Sequence, residues 1–365
     1  MSSLGAVPLR VALVAPPWFD VPPRAYGGIE AMVADLATAL DRRGHEVVLI
    51  GAGRNGTPAR FLPTYAEAPS PRLGEPVPEV VHAAAATRLL DELDVHIVHD
   101  HSLAGPLTAR GRAVPTVATV HGPVTGDLAR YYAELGDAVG LVALSDAQRR
   151  AAPGLNWVGT VPNAVDVDTF PFRADKEDFV LFIGRFNPDK GAHLAIDAAR
   201  AAGRRIVLAG KLNERPERDY FAAEIEPRLG PDVEYVGEAD GALKRDLFSR
   251  ARCLLFPIQW EEPFGMVMIE AMACGTPVVA LGRGAVPEVV VDGRTGYILD
   301  DPADLPEAVD RVDRIRPADC REHVAANFDV SVMGRRYEQV YLSLLGLPAG
   351  RPPFTTVPDG LALAG

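Results

Sequence analysis

The feature that most constrains the fold is a series of short apolar segments without polar alternation, most of them followed by glycine or polar residues and then a helical pattern. Strands covered by helices on both faces have this composition, so the pattern predicts parallel sheets built from βαβ units. Amphipathic stretches lie between the apolar segments, as at residues 29–43 and 80–93. In the first half, strands are predicted at residues 10–15, 46–50, 95–99, 116–120, 140–144 and 157–161.

The pattern restarts after a Pro-, Asn- and Asp-rich linker at residues 161–168. Two such series joined by one linker predict two doubly wound lobes, and 365 residues are too many for one comfortable core. The second series of strands is predicted at residues 178–183, 205–209, 233–236, 253–256 and 277–281. We therefore expect a Rossmann-like first lobe over residues 1–168, a second over 169–328, a closing helix at 329–346 and a loose tail at 347–365.

The charge and the cysteine content limit which partners the protein is expected to bind and in which cellular compartment it is expected to occur. The chain has 49 acidic and 37 basic residues, a net charge of −12, which disfavours nucleic acid. Cys253, Cys274 and Cys320 show no paired spacing and are interpreted as packed, reduced thiols. No signal peptide and no apolar run of membrane-spanning length is found, so we expect no membrane span and a cytoplasmic location. The oligomeric state stays open.

Glycines follow the first predicted strand, where ligands bind in open parallel sheets. Gly27 and Gly28 precede a helix whose free amides could bind a phosphate, although a tight turn that only starts the helix is the alternative. Tyr26, beside them, is a candidate contact for an acceptor.

Histidines end the third and fourth predicted strands. His96, His99 and His101 with Asp100 could suggest a metal site, but alternating strand residues point to opposite faces and no second cluster completes a metal shell. Histidines of the loop or core are the favoured interpretation, with Asp100 and His101 as candidates at the rim of a cleft on the acceptor side. His121 could hydrogen-bond a sugar hydroxyl or share a proton, or could be structural.

The second lobe offers cations near a helix start. Gly184 and Arg185 follow its first strand, and Lys190 lies where the next helix begins, an arrangement that suits a diphosphate. A solvated Arg and Lys pair is the alternative. Asp166-Val-Asp168 resembles the Asp-x-Asp of metal-dependent transferases, but it lies in the linker, and no metal is expected.

The sharpest motif runs from Glu262 to Glu270 after a buried strand. Pro263 and Gly265 form a turn into a helix, and its early amides, at Met266 and Val267, could bind a phosphate. Glu262 is free in the loop to accept hydrogen bonds from sugar hydroxyls. Glu270 interrupts an apolar run and could bind a vicinal diol such as a ribose, whereas the alternative makes both glutamates surface charges.

These motifs together resemble the retaining glycosyltransferases of family 4, which have the GT-B fold of two Rossmann-like lobes facing a central cleft. The Glu-x7-Glu pattern, the Gly-Arg-Phe to Lys-Gly segment and the Gly-Thr-Pro-Val strand occur in the family's order, as do the paired glycines, Thr-Val-His-Gly and the linker. The resemblance covers nearly the whole chain and implies a closing helix that crosses toward the first lobe. Ala164 departs from the family's usual glycine.

The resemblance also implies roles for the candidates. Arg185 and Lys190 would hold the donor diphosphate, Glu270 the ribose, and Glu262 with the amides of Phe264 and Gly265 the transferred sugar. His121 and Gly28 would contribute from the opposite lobe.

The implied activity is metal-independent transfer of a hexose, with retention, from a UDP-glucose-like or GDP-mannose-like donor to an unknown hydroxyl acceptor, without a cofactor. A nucleotide-sugar binding protein without turnover and a GT-B epimerase or phosphorylase are the alternatives. A dinucleotide dehydrogenase is disfavoured because neither lobe has Gly-x-Gly-x-x-Gly.

Overall fold

A computed structural model describes residues 8–24, 27–239 and 241–347, which form two α/β lobes. The first lobe contains a seven-stranded sheet in which all neighbours are parallel. Its strands are β1 (Arg10–Val14), β2 (Glu46–Ala52), β3 (Arg60–Tyr65), β4 (Ile97–Asp100), β5 (Thr116–Thr119), β6 (Gly140–Ala143) and β7 (Trp157–Thr160). The strand order is β3-β2-β1-β4-β5-β6-β7, so the sheet grows outward in both directions from β1 and β4.

Helices cover this first sheet. They are α1 (Gly28–Arg42), α2 (Pro76–Leu90), α3 (Gly126–Leu135) and α4 (Asp146–Ala151). The apolar face of α1 is buried against the sheet through Val33, Leu36 and Leu40, none of which is exposed to solvent. Burial of such a face, rather than helix propensity, is what stabilises a helix in a fold of this kind.

The second lobe repeats the arrangement with a six-stranded parallel sheet. Its strands are β8 (Phe179–Ile183), β9 (Arg205–Ala209), β10 (Val233–Tyr235), β11 (Cys253–Phe256), β12 (Val278–Leu281) and β13 (Gly296–Leu299), in the order β10-β9-β8-β11-β12-β13. Its helices are α5 (Ala192–Ala201), α6 (Arg215–Tyr220), α7 (Gly241–Arg250), α8 (Met266–Ala273), α9 (Val286–Val289), α10 (Leu305–Arg311) and α11 (Pro317–Asn327).

The last helix of the described chain, α12 (Val330–Leu344), leaves the second lobe and packs into the first. Gly334 lets it approach α1 closely, because a Cβ at this position would lie 2.8 Å from the Cβ of Ala39. Tyr337 and Tyr341 are buried in the core of the first lobe, where both hydroxyls make hydrogen bonds. This helix therefore ties the two lobes together beyond the linker.

The two parallel-sheet lobes expected from the sequence are confirmed, as is the burial of three unpaired cysteine thiols. Two edge strands, β3 and β13, were not predicted. Strand β3 contains Pro63 and is half-exposed, and β13 is four residues long and begins with glycine, so neither has the continuous apolar run of a central strand.

Nearly all of the expected tail lies outside the described residues. Within the described part of the chain, no helix is long and apolar enough to cross a membrane.

Candidate active site

A cleft between the lobes encloses a cavity of about 810 Å³. Its walls come from the start of α1, the linker after β7, the start of α7 and the first turns of α8. The carboxyl ends of parallel strands and the amino ends of the following helices therefore meet at one place, as expected for ligand binding in such sheets. The polar and charged residues among its walls are Asp35, Asp166, Thr169, Glu238, Lys244, Arg245 and Glu270.

The paired glycines form the first-lobe wall of this cleft. Gly27 has a φ of +139°, which side chains rarely adopt, and a Cβ here would lie 2.9 Å from Pro23. A Cβ at Gly28 would meet no described heavy atom within 4 Å, so this position leaves the backbone of the first turn of α1 open to the cavity. Tyr26 lies outside the described residues.

The opposite wall is the start of α8. Gly265 precedes the helix in the left-handed conformation, with a φ of +82°, and a Cβ here would lie 2.7 Å from Met268. Phe264 is buried and packs edge-on against Phe328, which anchors the turn. The amides of Met266 and Val267 belong to the first helical turn, which has no acceptor within the helix, and Met266 lines the cavity.

The loop before this helix carries a partly buried ion pair. Lys190 Nζ donates to Glu262 Oε2 at 2.5 Å and lies 5.1 Å from the centre of the Trp260 ring. The Asn187 side chain accepts from the amide of Lys190, and Gly191, with a φ of +71°, lets the chain pass the Pro257 carbonyl into α5. Two segments far apart in sequence are thus brought together at one carboxylate.

A second ion pair lies deeper along α8. Lys244 Nζ donates to Glu270 Oε1 at 2.7 Å, and both residues line the cavity. The other oxygen, Oε2, is buried without a hydrogen-bond partner among the described residues. A buried carboxylate oxygen without a donor is unfavourable by itself, so this atom can accept a hydrogen bond from a ligand.

Arg185 lies after β8 beside Gly184, near the Lys190 turn. Its side chain is 46% exposed and only loosely paired with Glu214, at 3.9 Å. The guanidinium is consequently free to turn toward an anion. Gly184 contributes a backbone amide bonded to the Ala209 carbonyl, and a Cβ there would make only ordinary contact with Phe182.

His121 follows β5 on the first lobe. Its Nε2 lies 3.0 Å from Nδ1 of His101, within hydrogen-bond distance. Loss of hydration on burial lowers the pKa of His121 to about 3, so the ring is neutral at physiological pH. On either side of it, the carbonyls of Val120 and Gly122 accept hydrogen bonds from the Gln148 side chain.

Asp100 and His101, predicted at the rim of a cleft on the acceptor side, are both buried in the structure. Asp100 is 1% exposed, and its carboxylate accepts hydrogen bonds from the amide and the hydroxyl of Ser102. These bonds stabilise the loop that follows β4. Burial raises its pKa to about 6. His101 is 4% exposed and lies between His99 and His121.

Other residues at the cleft were not found by sequence reasoning, notably Lys244 and Asp35. Lys244 follows β10 within the stretch where ligand loops gather, so its place after a strand was the available signal. Asp35 lies inside α1, and burial, followed by the nearby Asp166, raises its pKa to about 7. Nothing in its local sequence distinguishes it from an ordinary helix carboxylate.

Two family models together match residues 26–322, which is most of the described chain. The model described as "Glycosyltransferase Family 4" matches residues 26–169, and "Glycosyl transferases group 1" matches residues 168–322. The phosphatidyl-myo-inositol mannosyltransferase of Mycobacterium tuberculosis is 30% identical over 338 residues, which cover 82% of this chain and 85% of that protein.

Solved structures agree. AviGT4, a glycosyltransferase involved in avilamycin A biosynthesis, is 30% identical with a TM-score of 0.71, and the match covers 93% of this chain and 98% of AviGT4. Anabaena HepE in complex with UDP-glucose has the same fold, with 17% identity, a TM-score of 0.71 and coverage of 93% of this chain and all of that one. The chain is therefore a glycosyltransferase of family 4 with the GT-B fold.

Proposed function

We propose that the protein transfers a hexose from a nucleoside-diphosphate sugar to a hydroxyl acceptor, with retention of configuration and without a metal. The observation that carries this proposal is the wall formed by α8. There, free amides of the first turn lie between the Glu262 loop and the unpartnered Oε2 of Glu270. A diphosphate at the amides would have its sugar on one side and its ribose on the other.

The ribose end of the donor would be held by Glu270. Its Oε1 accepts a hydrogen bond from Lys244, which leaves Oε2 as the oxygen that a ribose hydroxyl would bind. A carboxylate accepts hydrogen bonds from hydroxyl groups and from nothing on the phosphates, so the donor's orientation follows from the chemistry of this wall.

The diphosphate would be stabilised by Arg185, Lys190 and the α8 amides. Bond cleavage leaves negative charge on the departing nucleoside diphosphate, and fixed cations and amides stabilise such charge most where water is excluded. Without donor, Lys190 is held by Glu262. Donor binding would shift Lys190 toward the phosphates and free Glu262 to accept hydrogen bonds from the sugar.

His121 would contact the transferred sugar from the first lobe. His101 occupies its Nε2, so Nδ1 is the ring nitrogen available to a sugar hydroxyl. A neutral imidazole suits this role, because it can donate or accept one hydrogen bond without adding charge beside the departing diphosphate.

The linker carboxylates support a mechanism without a metal. Asp166 Oδ1 accepts from the amide of Asp168 at 3.2 Å and so closes its own turn. The cations that would balance the diphosphate belong to the protein. The three buried thiols are in keeping with a reaction in a reducing compartment such as the cytoplasm.

A hexose donor is supported by the relatives. The similar mycobacterial protein is a mannosyltransferase, and the structure of similar fold contains UDP-glucose. Mannose and glucose are both hexoses, so we propose a UDP-glucose-like or GDP-mannose-like compound.

The test is a screen of UDP-, GDP- and ADP-hexoses for donor hydrolysis, with EDTA in one arm and Mg²⁺ or Mn²⁺ in the other. We expect turnover of one nucleotide series at the same rate in both arms, and a product with the donor's anomeric configuration by proton NMR. Turnover that requires the divalent ion, or an inverted product, would contradict the proposal. Tight binding of a nucleotide sugar without turnover would favour a binding protein.

A further inference from the structure

A buried glutamine holds the segment that carries His121. Gln148, on α4, is 5% exposed, and its Nε2 donates to the carbonyls of Val120 and Gly122 at 2.8 Å each. Its Oε1 accepts from the amide of Leu144 at 2.8 Å. The Nε2 donors thus hold the backbone immediately before and after His121, and Oε1 fixes the side chain to the residue that precedes α4 by two positions.

The same helix is contacted from the other lobe. Glu288, on α9, accepts from the amides of Asp146 and Ala147, at 2.7 Å each, through its two carboxylate oxygens. Arg150 lies 3.3 Å from this carboxylate on its exposed side. One side chain of the donor lobe therefore binds the backbone at the start of α4.

Glu288 belongs to a segment that is packed onto the Glu262 loop. The amide of Ala285 donates to the Glu262 carbonyl at 2.9 Å, and the amide of Gly284 donates to the Glu261 carboxylate at 2.8 Å. A Cβ at Gly284, which has a φ of +55°, would lie 2.3 Å from the Glu262 carbonyl oxygen. The backbone of the donor loop and that of the α9 segment are consequently in direct contact.

We propose that Glu288 and Gln148 are positioning residues that set the place of His121 relative to Glu262. Continuous contacts run from the Glu262 carbonyl through Ala285 and Glu288 to the start of α4, and from Gln148 to the carbonyls around His121. Neither side chain touches the cavity walls described above. The inference rests on the proposed role of His121, and it makes the contact between lobes a condition for that role.

The test compares donor hydrolysis by Glu288→Ala, Glu288→Gln and Gln148→Glu. Small displacements of a group that contacts the reacting sugar lower kcat, so we expect Glu288→Ala to lose about 10-fold in kcat with donor KM within about 2-fold. Glu288→Gln keeps an acceptor oxygen and should lie between this variant and the wild type. Arg150→Ala, which removes only the exposed ion pair, is the matched control and should behave as the wild type.

A double variant separates positioning from independent effects. If Glu288 and Gln148 act in one series of contacts, Glu288→Ala with Gln148→Glu should lower kcat no further than the more damaging single change. Losses that multiply, or a Glu288→Ala variant with wild-type kcat, would overturn the proposal.

Hydrogen exchange gives a readout that does not depend on turnover. In Glu288→Ala, we expect faster exchange of amides at residues 120–124 as well as at the start of α4, whereas Arg150→Ala should leave both segments unchanged. Unchanged exchange at residues 120–124 would overturn the proposed coupling. If the wild-type protein shows no turnover while Glu288→Ala still shows faster exchange than the wild type, the proposed function is contradicted but the coupling is not.

Discussion

The two sides of the cleft are chemically different. On the second lobe, two ion pairs flank the start of α8: Lys244 with Glu270, which line the cavity, and Lys190 with Glu262 in the preceding loop. On the first lobe, the histidines behind His121 are neutral and buried, although Asp35 and Asp166 also line the cavity on that side. His99 lies 2.7 Å from the Tyr341 hydroxyl and 2.8 Å from Thr119, and His101 contacts His121.

A charged ligand and an uncharged ligand need different groups to bind them. A nucleoside diphosphate is strongly anionic, and paired cations can bind it without leaving unbalanced charge in the empty site. A hexose is neutral, and rigid neutral groups can position it by hydrogen bonds. Substitutions on each side of the cleft should therefore have different effects.

The largest loss of activity is expected when Lys190, a cation of the second lobe, is removed. Lys190→Ala removes the partner of Glu262 and a cation proposed to stabilise the leaving group, so kcat/KM for donor hydrolysis should fall by about 10³-fold. Arg215→Ala removes a cation that is 86% exposed and should leave kcat/KM unchanged. A Lys190→Ala variant within about 3-fold of the wild type would remove Lys190 from the mechanism.

A smaller effect is expected at the other pair. Glu270→Gln weakens the acceptor proposed for ribose, which is bound equally in the ground and transition states, so donor KM should rise about 10-fold with kcat nearly unchanged. The measurement is steady-state hydrolysis over a range of donor concentrations. Glu234→Gln, which changes an exposed glutamate on β10, is the control. An unchanged KM in Glu270→Gln would exclude the ribose contact.

The buried neutral histidines of the first lobe should make the folded state less stable in acid. Burial lowers the pKa of His99 to about 3, whereas an unfolded histidine titrates near 6.5. The folded state therefore loses stability as the pH falls below about 6.5, because the unfolded chain takes up protons that the folded ring does not.

His99→Gln removes this titration. Between pH 7.5 and pH 5, its thermal midpoint should fall by several degrees less than that of the wild type, as measured by scanning fluorimetry. Between pH 7 and pH 8, where the imidazole is neutral in both states, the two proteins should show the same pH dependence. Equal falls in acid would mean that His99 is not held neutral by the fold.

The smallest effect is expected at Asp35, which should destabilise the folded state as the pH rises, whereas His99 destabilises it as the pH falls. Burial, reinforced by Asp166, raises the pKa of Asp35 to about 7 from an ordinary value of 3.8, so the folded state loses stability as the pH rises toward and through 7. Asp35→Asn should therefore raise the thermal midpoint at pH 8 by about 2–4 °C, and the gain should vanish at pH 4. The same gain at both pH values would show that the charge of Asp35 is not responsible.

Much of the fold could be predicted from the sequence, because central parallel strands are buried on both faces and appear as unbroken apolar runs. Strands β3 and β13 lack such a run, because Pro63 interrupts β3, and β13 is only four residues long and begins with glycine. Glu262 and Glu270 could be placed around the start of α8 from local signals alone, the Pro263 and Gly265 turn after a buried strand.

The ion-pair partners of Glu262 and Glu270 could not be predicted in the same way. Lys190 is 72 residues from Glu262 in the chain, and Lys244 is 26 residues from Glu270. Sequence reasoning assigned Lys190 to a diphosphate and overlooked Lys244. Local propensity carries no information on which charged side chain meets which across a fold.

Local sequence was enough to predict the two parallel-sheet lobes, the helix starts preceded by glycine, and the two glutamates at α8. Each of these features depends on residues that lie close together in the chain. Only the tertiary structure decided that Asp100 is buried, that His101 contacts His121, and that Glu288 reaches α4 from 141 residues away. Those outcomes depend on how separate elements pack, and the energy of a hydrogen bond or a buried charge is set by the neighbours that packing supplies.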